Sequence, residues 1–483
     1  MACSGAAAQT AGRSTSLSAS VATQVSYNVD SRNGGLSGGD FVTEVRPGLQ
    51  ISSRSGRVVG SLSYSLGLSH HTRDTTGQRV QNQLSGSFSA EAVDKWLYVD
   101  GSATVSQQTV SAFGTQSVAG STQDNANRIE VGTVTVSPYV RGVLGSAANY
   151  ELRLSGSATN GRRSIAADSS STSAALSLSS VLSGTALGWG LAATRQTTDF
   201  RAGSESSNDR VTASLSYIAD ADLVLTARGG QERTDVASVQ RTSYNNWGAG
   251  ATWRPSPRTR AQFNVDERYF GRSYNVLLSH RMASTSFDFS SSRDASNGSD
   301  STGAGQRFSL YDVFFAQFAT LEPDLVLRDV LVRNFLRAQG LDPNAVVSGG
   351  FVNTAVTVLE RHQLTAAYAG RRIAGSVQGF STQSKVIGAT NVTQQEPIQQ
   401  WGYLATASYR LSPTESLSLT GSRLLTQATT TQPGNALNSL SLGYGNQIGR
   451  RTSLALSARY SVFDSALNAY REAAITASLS QRF

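Results

Sequence analysis

The histidines are the residues with the most specific chemistry in this sequence. There are four: His70, His71, His280 and His362. His70 and His71 are adjacent at a predicted strand end, where neighbouring residues point to opposite faces, so we interpret them as solvated rim residues and not as metal ligands. Ser279 and Ser284 lie near His280, but serine is abundant throughout, so this proximity carries little weight. Since no HExxH, P-loop, dinucleotide or GxSxG motif occurs, we predict no enzyme activity, no metal and no cofactor.

The arginines could act on charged solutes. The chain has 41 Lys and Arg against 33 Asp and Glu, and the formal net charge is +8. Nucleic-acid binders usually cluster their basic residues, whereas these are spread along the chain, so we predict no nucleic-acid partner. Six arginines lie in or at the ends of predicted strands: Arg153, Arg228, Arg254, Arg410, Arg423 and Arg459.

These arginines are predicted to face a lumen, because an arginine facing lipid at the bilayer midplane costs about 2–4 kcal/mol. The candidate lumen charges are Arg153, Arg228, Arg410 and Arg459. Two interpretations stay open. The arginines give a positive potential that favours anionic solutes, or they pair with lumenal carboxylates as structural fillers.

Alternation with a period of two runs through the whole chain and is typical of strands with one apolar face. In residues 453–462, SLALSARYSV, apolar residues alternate mostly with small polar ones. Residues 401–411, WGYLATASYRL, show the same alternation. Charged residues make up 15% of the chain, against about 25% in typical soluble domains. No apolar run is long enough for a transmembrane helix, and Cys3, the single cysteine, excludes an intrachain disulfide. A small, uncharged polar face is typical of a wet lumen.

The links between predicted strands alternate between short and long. Short links include residues 254–259 and 410–415, and long links include residues 111–127 and 382–397. Outer-membrane barrels have this pattern, with short periplasmic turns and long outer loops. We therefore predict an all-β, transmembrane, antiparallel up-and-down β-barrel of about 22 strands, within a range of about 18 to 24. The alternation changes phase between residues 274 and 289, so a turn or bulge is expected near residues 280–285.

One segment departs from the strand pattern. Residues 309–340 read as two helices, and Leu327, Leu331 and Phe335 form an apolar stripe at helical spacing. We predict a helical insertion within residues 300–345 and name Leu327, Arg328, Leu331 and Phe335 as its candidate gate or plug residues. The alternatives are a plug, gate or docking element, or a loop packed on the rim. The parity of the strands places the insertion outside the cell, or on the periplasmic side if residues 273–294 form one long strand.

The two ends of the sequence also carry predictions. Residues 1–18 are predicted to be a signal-peptide remnant or a disordered N-terminus, and residues 19–483 the barrel. The final strand carries Ile475, Leu479 and Phe483 on one face. A terminal phenylalanine on an alternating strand resembles the signal by which the bacterial barrel assembly machinery recognises its substrates, and Gln481 departs from that signal. A first strand within residues 19–30 would pair with this last strand and remove the free edge.

Four stretches resemble the PEP-CTERM/exosortase-associated outer-membrane protein family of Gram-negative bacteria. They are residues 37–51, 136–142, 253–290 and 321–341. The resemblance implies a bacterial outer-membrane barrel that serves exopolysaccharide secretion or export, and it brings no catalytic residues. The implied partners are outer-membrane lipid and lipopolysaccharide, the barrel assembly machinery, an exopolysaccharide and a periplasmic polysaccharide export protein. The alternative functions are a general diffusion porin and a non-conducting structural or docking barrel.

Overall fold

The fold was established from a computed structural model. It describes residues 14–32, 35–72, 80–118, 125–162, 168–180, 186–201, 205–236, 240–296, 310–318, 322, 328, 331–333, 335–336, 351–353, 355–388, 396–449 and 451–483. The elements are β1 (Ser14–Arg32), β2 (Gly35–Arg54), β3 (Val58–His71), β4 (Val80–Val93), β5 (Leu97–Thr109), β6 (Arg128–Leu144), β7 (Ala148–Gly161), β8 (Ser169–Ser180), β9 (Leu187–Phe200), β10 (Ser206–Asp220), β11 (Leu223–Thr234), β12 (Thr242–Ser256), β13 (Thr259–Arg268), β14 (Gly271–Arg281), β15 (Thr285–Ser296), α1 (Leu310–Gln317), β16 (Thr357–Ala369), β17 (Ile373–Val386), β18 (Ile398–Arg410), β19 (Glu415–Thr426), β20 (Asn435–Asn446), β21 (Thr452–Ser465) and β22 (Tyr470–Arg482).

The sheet closes on itself. Every strand pairs antiparallel with its neighbours in the sequence, and β1 also pairs with β22, with Tyr27 opposite Ile475. The backbone N–H of Phe483 donates to the carbonyl of Ala19 at 2.8 Å and extends this seam. A closed barrel leaves no unpaired edge. The predicted all-β antiparallel barrel of about 22 strands is therefore confirmed.

The outer surface of the barrel is apolar. Along β1, for example, Val21, Val25 and Tyr27 point outward and are exposed, whereas the alternate Ser26 and Asn28 point inward and are buried. Aromatic side chains cluster on this surface near the two ends of the strands. One belt contains Trp96, Trp189, Tyr217, Trp253, Tyr368 and Tyr409, and the other contains Tyr27, Phe41, Trp247, Trp401 and Tyr403. Such girdles hold amphipathic rings at the two membrane–water interfaces.

The lengths of the connections orient the barrel. Turns of two to four residues lie at one end: 55–57, 94–96, 145–147, 221–222, 257–258, 282–284, 370–372 and 411–414. The longest connections, 110–127, 297–356 and 387–397, lie at the other end. Since periplasmic turns are short and extracellular loops long, the first is the periplasmic end and the second the extracellular end. Short connections also occur at the extracellular end, at residues 269–270 and 466–469. Gly271 (φ +93°), after the first of them, takes the left-handed conformation that favours glycine.

The structure matches one prediction about strand boundaries and differs from another. The phase change near residues 280–285 is a turn at residues 282–284, as predicted, so the insertion leaves the barrel at the extracellular end. The first strand begins at Ser14, so residues 14–18 belong to the barrel and not to the N-terminal segment assigned from the sequence. Residues 1–13 lie outside the described residues. No helix in the described part of the chain has the length and apolar character needed to cross a membrane.

Candidate functional site

The insertion between β15 and β16 lies inside the barrel. Its helical residues, called the plug here, are 310–317, 328, 331–333 and 335–336. Phe314, Val332 and Leu336 are fully buried and form one cluster with Ala367 and Ala374. The two alanines face the lumen on either side of the periplasmic turn 370–372. At about 3.3 Å per residue, Ala367 lies about 33 Å along β16 from Thr357, the extracellular start of that strand. The plug therefore starts from the extracellular end and packs near the periplasmic end.

Aromatic and cationic side chains hold the plug together. The ring centroid of Phe335 lies 5.1 Å from that of Phe314 and 5.0 Å from that of Phe318. The buried Arg328 donates from Nε to the carbonyl of Glu322 at 2.7 Å and places its guanidinium 4.9 Å from the ring of Phe315. These contacts make the described part of the plug a small core of its own, seated on the barrel wall.

The sequence named four residues of this segment. Arg328 is buried, while Leu331 and Phe335 are half-buried and helical. Leu327 lies outside the described residues. The position of the cluster at the periplasmic end of the lumen favours a plug over a rim loop. Strand parity correctly placed the root of the insertion but gave no information about its depth.

A second loop closes part of the extracellular mouth. In the β5–β6 connection, called the mouth loop here, the carbonyl of Ala112 accepts hydrogen bonds from Thr426 at 3.2 Å and Asn435 at 3.0 Å. The hydroxyl of Tyr470 donates to the carbonyl of Gln116 at 2.7 Å. These partners come from β19, β20 and β22, so the mouth loop reaches across the lumen. Burial raises the pKa of the Tyr269 phenol in the β13–β14 hairpin at the same end, so this residue stays neutral.

The inner wall on one side of the barrel is made of hydroxyl groups. One row of directly paired, inward-facing residues joins β1 to β10: Ser16, Ser52, Ser61, Ser87, Ser102, Thr135, Ser157, Ser171, Thr198 and Ser206. A second row runs beside it: Ser18, Gln50, Ser63, Ser85, Thr104, Thr133, Thr159 and Ser169. Because the strands of a barrel tilt and stagger, the first row climbs from the periplasmic start of β1 to the extracellular start of β10.

Between this wall and the plug lies a cavity of about 890 Å³. Its wall side carries Ser52, Ser61, Ser87 and other hydroxyls of the first row, together with Gln50, Arg54, Asp100 and Tyr139. Its plug side carries Tyr311, Phe315 and Arg333. The guanidinium of Arg333 lies 4.9 Å from the ring of Tyr311. The passage thus combines hydroxyl groups, which both donate and accept hydrogen bonds, with flat aromatic faces.

The four candidate lumen arginines all project inward by the alternation of their strands. Arg153 pairs with Asp100 at 2.9 Å and Glu151 at 3.1 Å. Arg228 pairs with Asp266 at 3.0 Å, and Arg459 pairs with the fully buried Glu472 at 2.8 Å. Arg410 instead donates to the backbone carbonyl of Arg371. Three of the four are thus neutralised by carboxylates, which favours the structural-filler interpretation over a positive lumen for these residues.

The prediction for Arg423 was wrong. On β19, Leu424 and Thr426 are buried in the lumen, so Arg423 projects outward. It lies near the extracellular end, and its guanidinium is 5.3 Å from the ring of Trp401 in the aromatic belt. An outward arginine costs only about 0–1 kcal/mol near the interface, so the midplane argument does not apply to it.

The three residues of the candidate assembly signal lie together on the outer face of the closing strand. Ile475, Leu479 and Phe483 all project outward and are exposed to the lipid side. The departure at Gln481 has a partner, because the hydroxyl of Thr452 donates to its side-chain oxygen. A polar residue at this position therefore keeps its hydrogen bonding inside the sheet.

The histidines take part in polar contacts on the wall. His71 contacts Asp40 at 3.0 Å, and His280 contacts Thr259 at 2.9 Å. His362 lies 2.8 Å from the hydroxyl of Ser291 and 3.2 Å from Glu360 on the outer face. Ser291 is paired with strands on both sides, so its backbone N–H belongs to the ladder and is not free to serve an oxyanion. We interpret this trio as a polar network of the wall.

Sequence reasoning missed two features of the lumen. The hydroxyl rows were visible only as the polar half of each alternating strand, because the pairing that aligns Ser52 with Ser61 depends on register. The reach of the mouth loop was not visible, since Ala112 and its partners lie more than 300 residues apart. Loop length alone was the available signal.

A closed antiparallel barrel with an even number of strands, an apolar outer face between two aromatic belts and a polar lumen defines a bacterial outer-membrane β-barrel. The plug and the mouth loop place it among the barrels with a partly filled lumen. Large barrels of this size enclose a plugged lumen or an aqueous channel.

No protein-family model and no curated protein matches the chain. Among solved structures, the FrpB iron transporter from Neisseria meningitidis (F5-1 variant, apoprotein form) is 10% identical with a TM-score of 0.48, and the match covers 96% of this chain and 81% of that chain. The siderophore receptor PirA from Pseudomonas aeruginosa is 10% identical with a TM-score of 0.43, covering 96% and 80%. A loop-deletion mutant of OmpT from Vibrio cholerae is 8% identical with a TM-score of 0.32, covering 98% and 99%.

Proposed function

We propose that this outer-membrane barrel is a gated channel for a sugar polymer that leaves the cell. The observation that carries the proposal is the set of hydroxyls on the inner wall, which is exposed in the periplasmic half of the lumen and buried at Thr159, Ser171 and Thr198 towards the extracellular end. Ser16, Ser52, Ser61, Ser87 and Ser102 are exposed to the lumen in its periplasmic half. The resemblance of the sequence to exosortase-associated outer-membrane proteins points to the same class of cargo.

The chemistry of this wall suits a sugar chain. A serine hydroxyl rotates to donate or to accept, so each sugar hydroxyl can exchange water for the wall at little cost in free energy. Passage needs many weak sites, since tight binding at one site would stop movement. Tyr311 and Phe315, which are half-buried, offer apolar ring surface beside the hydroxyls. Gln50 and the hydroxyl rows carry no charge themselves, and the charged residues of this cavity, Arg54, Asp100 and Arg333, include both signs.

The plug sets the resting state in this proposal. Its seat on Ala367 and Ala374 is apolar, and the hydroxyl-lined cavity runs past its other side. Displacement of the plug would widen the passage without breaking the hydrogen bonds of the barrel. Movement through the opened lumen is passive, and a periplasmic export protein would deliver the chain.

Conductance and solute block test the proposal. Purified protein in planar bilayers is expected to conduct weakly, and deletion of residues 300–345 to raise the conductance. Dextran oligomers added to the deletion variant are expected to block the current for longer than polyethylene glycol of equal size. The double variant Ser52→Leu/Ser87→Leu should shorten the dextran block, whereas the outward-facing control Thr23→Leu should not.

Each alternative predicts a different result. A general diffusion porin would show equal block by dextran and polyethylene glycol, and its loss in the native host would leave exopolysaccharide secretion intact. A non-conducting docking barrel would stay closed after the deletion. Either result, obtained with folded protein, would overturn the proposal of a polymer channel.

A further inference from the structure

A second cavity lies at the periplasmic end, on the wall formed by β12 to β16. Its volume is about 680 Å³, which is within the range of small-molecule sites. Its charged lining residues are Arg254, Arg258, Arg260, Arg281, Asp222 and Asp288. Gln363 and Thr365 of β16 also line it, and the next inward residue of that strand, Ala367, seats the plug. This cavity, called the arginine cavity here, therefore lies beside the plug seat, while the hydroxyl-lined cavity lies against β1 to β6.

The arginines of this cavity differ from those deeper in the lumen. Arg153, Arg228 and Arg459 each have a carboxylate partner. Arg260 donates to the neutral amide oxygen of Gln262 at 2.9 Å. Among the described residues, no ion pair joins Arg254, Arg258 or Arg260 to a carboxylate. With four arginines and two aspartates in its lining, the cavity keeps a net formal charge of +2.

The local sequence fixes this arrangement. Arg254 follows the outward-facing Trp253, so its side chain projects into the lumen at the end of β12. Pro255 and Pro257 flank Ser256 at the turn, and each proline fixes φ and lowers the entropy of the unfolded turn. Arg281 of β14 donates to the carbonyl of Pro257 at 3.4 Å and ties the turn to the next hairpin. The cationic groups are thus held on a stiff corner.

Uncompensated guanidinium groups around a cavity form a site for an anion. A guanidinium presents a rigid planar fork of donors that matches a carboxylate, and a cleft with a net excess of positive charge concentrates anions. Leu277, which lines the cavity and alternates with the outward-facing Leu278, adds apolar surface. The cavity includes the periplasmic turn 257–258, so it lies at the end of the barrel where a solute leaving the cell arrives first.

We propose that the arginine cavity binds the carboxylate of an acidic sugar unit at the periplasmic entrance of the channel. The sugar part of this assignment rests on the proposed function, whereas the anion part rests on the arginines alone. The site would capture a uronic-acid type of residue and hold it beside the plug, before the chain moves along the hydroxyl wall. It makes the channel selective for polymers with carboxylates.

Equilibrium binding to the folded, detergent-solubilised protein tests this assignment without requiring conduction. The probes are trigalacturonate, neutral maltotriose and inorganic phosphate, measured by titration calorimetry at low and high salt. Trigalacturonate is expected to bind most tightly, and more weakly at high salt. The variant Arg254→Gln/Arg258→Gln should weaken its binding by about tenfold or more. The matched control Arg57→Gln/Arg451→Gln removes two arginines from other periplasmic turns and should bind as the unaltered protein does.

The outcomes separate the two parts of the proposal. Equal binding of phosphate and trigalacturonate would overturn the sugar assignment and leave a general anion site. Trigalacturonate binding that is absent, or unchanged in Arg254→Gln/Arg258→Gln, would overturn the site itself, and dextran block of the channel would still report on the proposed function. Heat-modifiable migration on gels checks that each variant is folded, and Arg254→Lys/Arg258→Lys, which keeps the charge, should retain part of the affinity.

Discussion

Removal of one aromatic ring from the plug should open the channel. Phe314 is fully buried and belongs to the cluster with Ala367 and Ala374 that seats the plug on the wall. Its ring also lies 5.1 Å from Phe335 and 6.3 Å from Phe318. Replacement Phe314→Ala therefore removes apolar contacts within the plug and against the wall at once, without touching the strand ladder.

The size of the effect follows from burial. Truncation of a buried phenylalanine to alanine costs about 3–5 kcal/mol. If about 3 kcal/mol of this acts on the equilibrium between seated and displaced plug, the equilibrium constant shifts by about 100-fold, since about 1.4 kcal/mol is tenfold. A displaced population of about 0.1–1%, typical of minor states, would rise to about 10–50%.

Single-channel recording in planar bilayers measures this population as the open fraction. Phe287→Ala is the matched control, because Phe287 lies at the same end of the barrel but projects outward and is exposed. We expect frequent openings for Phe314→Ala and none beyond the basal rate for Phe287→Ala. A folded Phe314→Ala barrel whose open fraction equals that of the unaltered protein would refute the assignment of this cluster as the seat of the plug.

Three further predictions concern the wall, the mouth and assembly. Glu472→Ala leaves Arg459 buried without its counter-charge and should lower the free energy of unfolding by about 3–5 kcal/mol, measured by urea unfolding in lipid; the double variant Arg459→Leu/Glu472→Leu should lose much less, and equal losses would contradict the ion-pair argument. Tyr470→Phe removes the hydrogen bond to Gln116, worth about 1 kcal/mol, and should speed hydrogen exchange in residues 110–118 by about fivefold; unchanged exchange would mean that the mouth loop is held elsewhere. Phe483→Ser should reduce the amount of barrel inserted in the outer membrane of cells, while unassisted refolding into lipid vesicles stays normal; normal levels in cells would remove the assembly-signal hypothesis.

The strands of the barrel were predictable because alternation is a local property. The residues of each strand show by themselves which face is apolar. The number of strands, the turn at residues 282–284 and the end of the barrel from which the insertion starts therefore followed from the sequence. The contacts of the long connections were not predictable, because they depend on closure of the whole barrel. Ala112 meets Thr426 and Asn435 only after the sheet has closed.

The candidate site was predictable to a similar extent. Alternation correctly placed Arg153, Arg228 and Arg459 in the lumen, but their partners come from other positions and other strands, as Asp266 does for Arg228. The sequence therefore could not separate neutralised arginines from uncompensated ones. Arg254 was grouped with the rest, although its position at the periplasmic corner leaves it without a carboxylate partner among the described residues.

The lumen separates structural charges from charges that remain available to a solute. Glu472 is fully buried, Arg459 is partly buried, and the two charges cancel each other, so they contribute little to the field in the lumen. Arg254, Arg258 and Arg260 keep their charge, and they lie where a solute from the periplasm arrives. Beyond them the hydroxyl rows offer weak, uncharged contacts along the wall. Capture by charge at the entrance and movement along neutral hydroxyls are compatible because the two surfaces lie on different walls, β12 to β16 and β1 to β6. Since the seat of the plug at Ala367 and Ala374 is apolar, added salt should weaken capture without opening the channel.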